Sequence, residues 1–114
     1  MKEIKTMEEL NALTGIRPSL VKFGQPNCIP CKMTQENLEE IENSKKYDLD
    51  FYECSNIDII TQLGYNAVPV VMLITSHIKA ELLDSSIAMD LDELDEWIGS
   101  VSYTHLTLPT ILRV

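Results

Sequence analysis

An α/β domain is predicted, with a central mixed sheet (mainly parallel, with a terminal antiparallel hairpin) flanked by helices on both faces. Three observations predict it. Strand-like and helix-like patterns alternate along most of the chain. The run Val68 to Thr75 is nearly continuous in apolar and β-branched residues, as a strand covered on both faces would be. Ser76-His77 then reads as a hairpin turn, with Ile78 to Leu83 returning as an edge strand.

The elements follow in order. Lys2 to Lys5 reads as a short edge strand. Thr6-Met-Glu-Glu9 matches a capping box, in which Thr and Glu side chains satisfy free N–H groups at a helix start. Met7, Leu10 and Leu13 then recur at helical spacing, and Gly15 reads as the stop. Ser19 to Phe23 is a strand, and Gly24 to Asn27 a turn. Cys28 and Pro30 open a helix to about Ser44, with Met33, Leu38 and Ile41 inward and four glutamates outward. Leu49 to Cys54 is a strand, and Asp58 to Leu63 a short helix closed by Gly64. Asp90 to Ile98 forms a last amphipathic helix, capped by Asp90, with Leu91, Leu94, Trp97 and Ile98 inward.

Residues 1–100 are thus expected to form one domain. The stretch from Val101 to Val114 lacks a clear period, and Val101 to Thr110 resembles one reading frame of a transposon-type sequencing adaptor. Residues 101–114 are therefore expected to be a non-native tail, against the alternative of a native chain end. No function is assigned to His105 within it.

A chain of 114 residues supports one core, and 45% hydrophobic residues exclude a disordered acidic tail. The formal charge of −9 argues against nucleic acid, whose phosphates require Lys and Arg, and against an anionic membrane surface. No apolar run is long enough to span a bilayer, and the first residues lack a secretory signal pattern. A cytoplasmic setting is expected. Three cysteines do not make a disulfide-stapled scaffold.

Two of them form Cys28-Ile-Pro-Cys31, between a strand–turn and a helix start. There the first thiol meets unpaired N–H groups and the positive end of the helix dipole. Both favour thiolate, lowering a thiol pKa of about 8.5 toward 7 or below. Cys28 would attack a substrate disulfide; Cys31, one turn inward, would attack the mixed disulfide and release reduced substrate. Pro30 removes one N–H donor near the thiolate, which is expected to keep the pair reducing. The other reading is half of a zinc site. Zinc takes about four ligands, and Cys54 and His77 alone would be left to complete them, so no metal site is expected.

The segments Val21-Lys-Phe-Gly-Gln-Pro-Asn-Cys-Ile-Pro-Cys-Lys-Met33 and Gly64-Tyr-Asn-Ala-Val-Pro-Val-Val-Met-Leu-Ile74 resemble the thioredoxin family, over residues 2–100. The resemblance implies a thioredoxin fold. It also implies a cis peptide before Pro69, with the backbone of Val68 presented to an extended substrate. Asn27 and Gly24 stand where the family usually has tryptophan, and Glu36 where it has a helix-kinking proline. Lys22 stands where the family buries an Asp beneath the dithiol. Its partner is placed at Asp50 by aligning back from Gly64, which suggests a charge-swapped Lys22–Asp50 pair. A buried Lys beneath Cys31 would favour thiolate. Cys54 is read as a small core hydrophobe and His77 as solvated.

The implied function is reduction of protein disulfides without a bound cofactor. The implied partners are disulfide-containing proteins and an upstream disulfide reductase, with the chain a monomer. The alternatives are a glutaredoxin-like protein using glutathione, a docking or redox-sensor module on the same fold, and a small metal-binding domain.

Overall fold

The computed structural model describes residues 1–13, 17–76 and 78–112, with side chains as far as residue 102. The expected stop at Gly15 and the expected place of His77 lie outside the described residues.

Five strands form one sheet in the order β1-β3-β2-β4-β5: β1 Lys2–Glu3, β2 Ser19–Phe23, β3 Asp50–Cys54, β4 Val70–Ile74 and β5 Lys79–Leu82. β1 and β2 both pair parallel with β3. β4 runs antiparallel to β2, and β5 antiparallel to β4. Four strands therefore point one way and β4 the other, so the sheet is mixed at its centre as well as at its hairpin edge. An apolar run such as β4 carries no mark of its direction, which is why the pattern alone did not place the reversal.

α1 (Met7–Asn11) starts on Thr6, and the expected capping box is present, with the Glu9 N–H donating to Thr6 Oγ1 at 3.1 Å. α1 and α3 (Ile57–Gln62) cover one face of the sheet, where Leu10, Ile59 and Ile60 pack on Val21, Phe23, Val70 and Met72. α2 (Ile29–Ser44), α4 (Ser85–Ala88) and α5 (Leu91–Leu112) cover the other, where Leu38, Ile41, Leu94 and Ile98 pack on Leu20, Phe51 and Val71. Alternate residues of β2 thus serve opposite cores, as strand geometry requires.

The helices differ from expectation in three places. The buried stripe of α2 is Cys31, Thr34, Leu38 and Ile41, and Met33, one residue off that stripe, is 43% exposed. α4 was not anticipated, because four residues are too few to show a helical period; Asp84 caps it by accepting from the Ser86 N–H at 2.9 Å. α5 does not end near Ile98 but runs on to Leu112. Gly99 is not a stop: a Cβ there would lie 2.9 Å from Tyr47 Oη, so glycine lets the ring pack close to the helix.

Candidate active site

β2 ends at Phe23, and the chain turns through Gly24, whose N–H donates to the Cys54 carbonyl at 3.0 Å. Gly24 is itself buried. A Cβ there would lie 2.8 Å from Lys22 Cε and 3.1 Å from Cys31 Cβ, so the side chains beneath the turn leave room only for hydrogen. Cys28 follows as N-cap of α2, in extended conformation at φ −110° and ψ 113°. Pro30 sits in the first turn, where no N–H partner is needed. Cys28 and Cys31 are disulfide-bonded, with Cα atoms 5.1 Å apart. The Cys31 N–H donates to Cys28 Sγ at 3.1 Å. Cys28 is half-buried, while Cys31 is buried under the helix.

The two sulfurs differ in their surroundings. Cys28 Sγ has a backbone donor aimed at it and stands at the positive end of a helix dipole, surroundings that in general favour a thiolate. Ile29, the next residue, is 71% exposed and puts apolar surface beside Cys28. The Val68–Pro69 bond is cis, the geometry implied by the resemblance. Pro69 is buried and precedes Val70, which pairs with Phe23. The register thus brings the Val68–Pro69 bend to the same end of the sheet as the Gly24–Cys28 turn.

The expected Lys22–Asp50 pair is not formed. In the parallel register Lys22 stands opposite Glu53, and Asp50 stands opposite Ser19. Asp50 instead accepts from Arg17 at 3.0 Å, at the far end of the strand. Aligning back from Gly64 displaced the partner by three residues, because loop length does not fix strand register. Lys22 is buried, 9% exposed, and burial pushes its pKa down while Glu53 and Glu39 hold it up. Gln35 was also not anticipated. Its amide donates to Glu53 at 3.1 Å and to Glu39 at 3.2 Å, tying the two carboxylates together. The alternation of β2 does put Lys22 on the α2 face, but nothing in the sequence marks Gln35.

Cys54 is a free thiol, 1% exposed at the end of β3, and burial pushes its pKa up. Among the described residues no cluster of His, Cys, Asp and Glu is arranged to hold a metal ion. Nor is any described helix long and apolar enough to cross a membrane.

No protein-family model matches the chain. It is 32% identical over 77 residues to the SPbeta prophage-derived thioredoxin-like protein YosR of Bacillus subtilis, a match covering 68% of this chain and 90% of that protein. The chain belongs to the thioredoxin family. The fold agrees. The thioredoxin of Malassezia sympodialis superposes with a TM-score of 0.73 at 20% identity, over 88% of this chain and 89% of that one. Plasmodium falciparum thioredoxin gives 0.73 at 15% identity, over 88% and 98%. A thioredoxin from Halobacterium salinarum gives 0.70 at 20% identity, over 87% and 88%. Family, fold and the paired Cys28 and Cys31 together support a thiol–disulfide oxidoreductase.

Proposed function

We propose that this thioredoxin-family chain reduces disulfides in other proteins, with Cys28 as nucleophile and Cys31 as resolving thiol. The observation that carries the reading is the Cys31 N–H aimed at a half-buried Cys28 Sγ on a helix N-terminus. The Cys28 thiolate attacks one sulfur of the substrate disulfide. An S–S bond forms to Cys28, the substrate S–S bond breaks, and the other substrate sulfur leaves as thiolate. Cys31 then attacks Cys28 Sγ, closes the Cys28–Cys31 bond and releases the second substrate thiolate. Two electrons pass to the substrate. An upstream disulfide reductase returns them. Pro30 keeps a donor away from the thiolate, and Val68 beside Pro69 offers its backbone to an extended substrate segment. The chain acts as a monomer in the cytoplasm, without a resident cofactor and without binding nucleic acid or membrane.

The test is turnover of a disulfide-containing protein with dithiothreitol as reductant, alongside equilibration of Cys28–Cys31 against glutathione followed by mass-resolved thiol labelling. Turnover and a clean two-electron transition are expected. Cys31→Ser should stall the cycle and accumulate a mixed disulfide on Cys28, visible by mass. Absence of turnover, with no adduct on Cys28, overturns the reading and leaves a docking module on this fold.

A further inference from the structure

On the face of the sheet opposite α2, one tyrosine joins three separate elements. α3 ends at Gln62, and Gly64 turns the chain at φ +87°. The Tyr65 N–H then donates to the Ile60 carbonyl at 3.2 Å, which closes the helix end. Tyr65 is held to α3 by this bond and begins the segment that leads to Val68 and Pro69. Asn66 and Ala67, in between, are exposed. The Tyr65 ring packs on Phe23 of β2 with centroids 5.6 Å apart, and its hydroxyl donates to Glu81 Oε2 on β5. β4 lies between β2 and β5 in the sheet, so this one side chain bridges two strands that are not neighbours.

We propose that Tyr65 is a positioning residue for substrate capture: seated on Phe23 and tied to Glu81, it fixes the approach to Val68 in the form that an extended protein segment meets. The inference rests on the reductase reading, in which the Val68 backbone receives the substrate, and deepens it. Phe23 is the last residue of β2 before the turn to Cys28, and its register partner Val70 follows Pro69. One aromatic contact thus joins the strand that leads into the dithiol turn to the segment that leads into the Pro69 bend. Glu81 stands opposite Met72 on β4, two residues beyond Val70 and on the same face. The bond to Glu81 is a second anchor, on the outer strand, that holds the ring against Phe23.

The residue type suits the role. A phenol presents an apolar body to the core and a polar tip to water, so one side chain serves a buried contact and an exposed acceptor at once. Phe23 is buried, Tyr65 half-buried and Glu81 exposed, which is the gradient such a side chain spans. A hydroxyl bonded to a carboxylate makes a stronger bond than one between neutral groups. Burial, and then the Glu81 carboxylate, push the Tyr65 pKa up, so the hydroxyl stays protonated and a donor at neutral pH. Ordering a segment costs backbone entropy, and one that is competent only part of the time binds with an apparent affinity reduced by that fraction. A tied segment is already ordered when substrate arrives. Cys28 and Cys31 stand at the start of α2 and keep their own geometry whether or not the tie is made. The expected signature is therefore in substrate binding and not in the sulfur chemistry.

The test is Tyr65→Phe, which keeps the ring and removes only the hydroxyl. Reduction of a protein disulfide should show KM raised about fivefold with kcat unchanged, as the loss of one hydrogen bond of ordinary net strength requires. Oxidation of the reduced chain by hydroxyethyl disulfide, too small to lie along the Val68 backbone, should keep its wild-type rate. Glu81→Ala should repeat the KM effect, and the double variant should be no worse than either single one, because the two groups form one contact. Amide nitrogen relaxation by NMR should show lower order parameters at Asn66, Ala67 and Val68 in both variants, with those of α2 unchanged. Wild-type turnover with an unaltered KM in Tyr65→Phe overturns this inference alone. So does equal slowing of the protein and small disulfides, full additivity of the two substitutions, or unaltered order parameters in the loop. No turnover of the protein disulfide by the wild-type chain overturns the reductase reading, and this inference with it.

Discussion

Two adjacent strand-to-helix crossings, β2 to α2 and β3 to α3, carry the same chemical group to opposite ends. Phe23 and Cys54 are register partners, so the two strands finish side by side. Past β3 the thiol is already spent: Cys54 is the last strand residue, facing the core formed by Val21, Phe23, Ile59 and Ile60. The helix that follows is capped by an amide, with Asn56 Oδ1 accepting from the Asp58 N–H at 2.9 Å. Past β2 the chain continues five residues further, and the cap itself is the sulfur of Cys28. Sulfur is a poorer acceptor than oxygen at a helix start. On the proposed function, the β2 crossing gives up capping quality for a reactive thiol, whereas the β3 crossing buries its own thiol and keeps an amide cap. Reactivity here is a matter of where the backbone places the sulfur, since the residue type is the same.

Exchanging the two caps' chemistry tests that contrast. Cys28→Ser supplies the preferred oxygen cap, so the reduced variant should match reduced wild type within about 0.5 kcal/mol in urea. Its disulfide-reductase turnover should fall to the rate of the reductant alone. Substantial turnover in that variant would break the comparison. Asn56→Ala should cost about 1 kcal/mol and leave turnover unaltered; an equal loss of activity would mean the crossings are not independent. The smallest effect concerns pH. Burial raises the Cys54 thiol, so the folded chain holds this proton at pH values where the unfolded chain has lost it. Stability should therefore fall as pH rises past the ordinary thiol range near 8.5, by less than about 1.4 kcal/mol per pH unit. The measurement is urea denaturation of the oxidised protein at pH 7 and pH 10, compared with Cys54→Ala. The alanine variant should show a shallower decline, and parallel declines would remove the thiol as the cause.

Much of this was legible in the chain itself. The strand β2 is read at its true limits because Leu20, Val21 and Phe23 stand between clear breakers. The cap at Thr6 is a purely local code and is found as written. The dithiol is visible because paired cysteines at that spacing are rare, and the bend at Pro69 because the segment around it resembles the family. The rest needed information that is not local. The direction of β4, and the placing of Glu53 opposite Lys22, depend on how strands align across space. The glycine at position 99 of α5 makes room for Tyr47, which comes from a distant loop and is not visible in the local pattern. Gln35 carried no sequence signal, since a polar residue on a glutamate-rich helix reads as surface until its two carboxylate partners are seen.

The missing side chain at Gly24 also sets an order on how this site can diverge. A methyl group there would strike the Lys22 stem and the Cys31 Cβ together. Shortening position 22 first opens the space that a larger residue at 24 requires. Enlarging position 24 first passes through an overpacked intermediate, which typically costs 1–3 kcal/mol at roughly one buried methyl. The two positions are thus coupled in packing, and a larger residue at 24 is accommodated more readily once position 22 is shorter, with the Cys31 Cβ contact remaining.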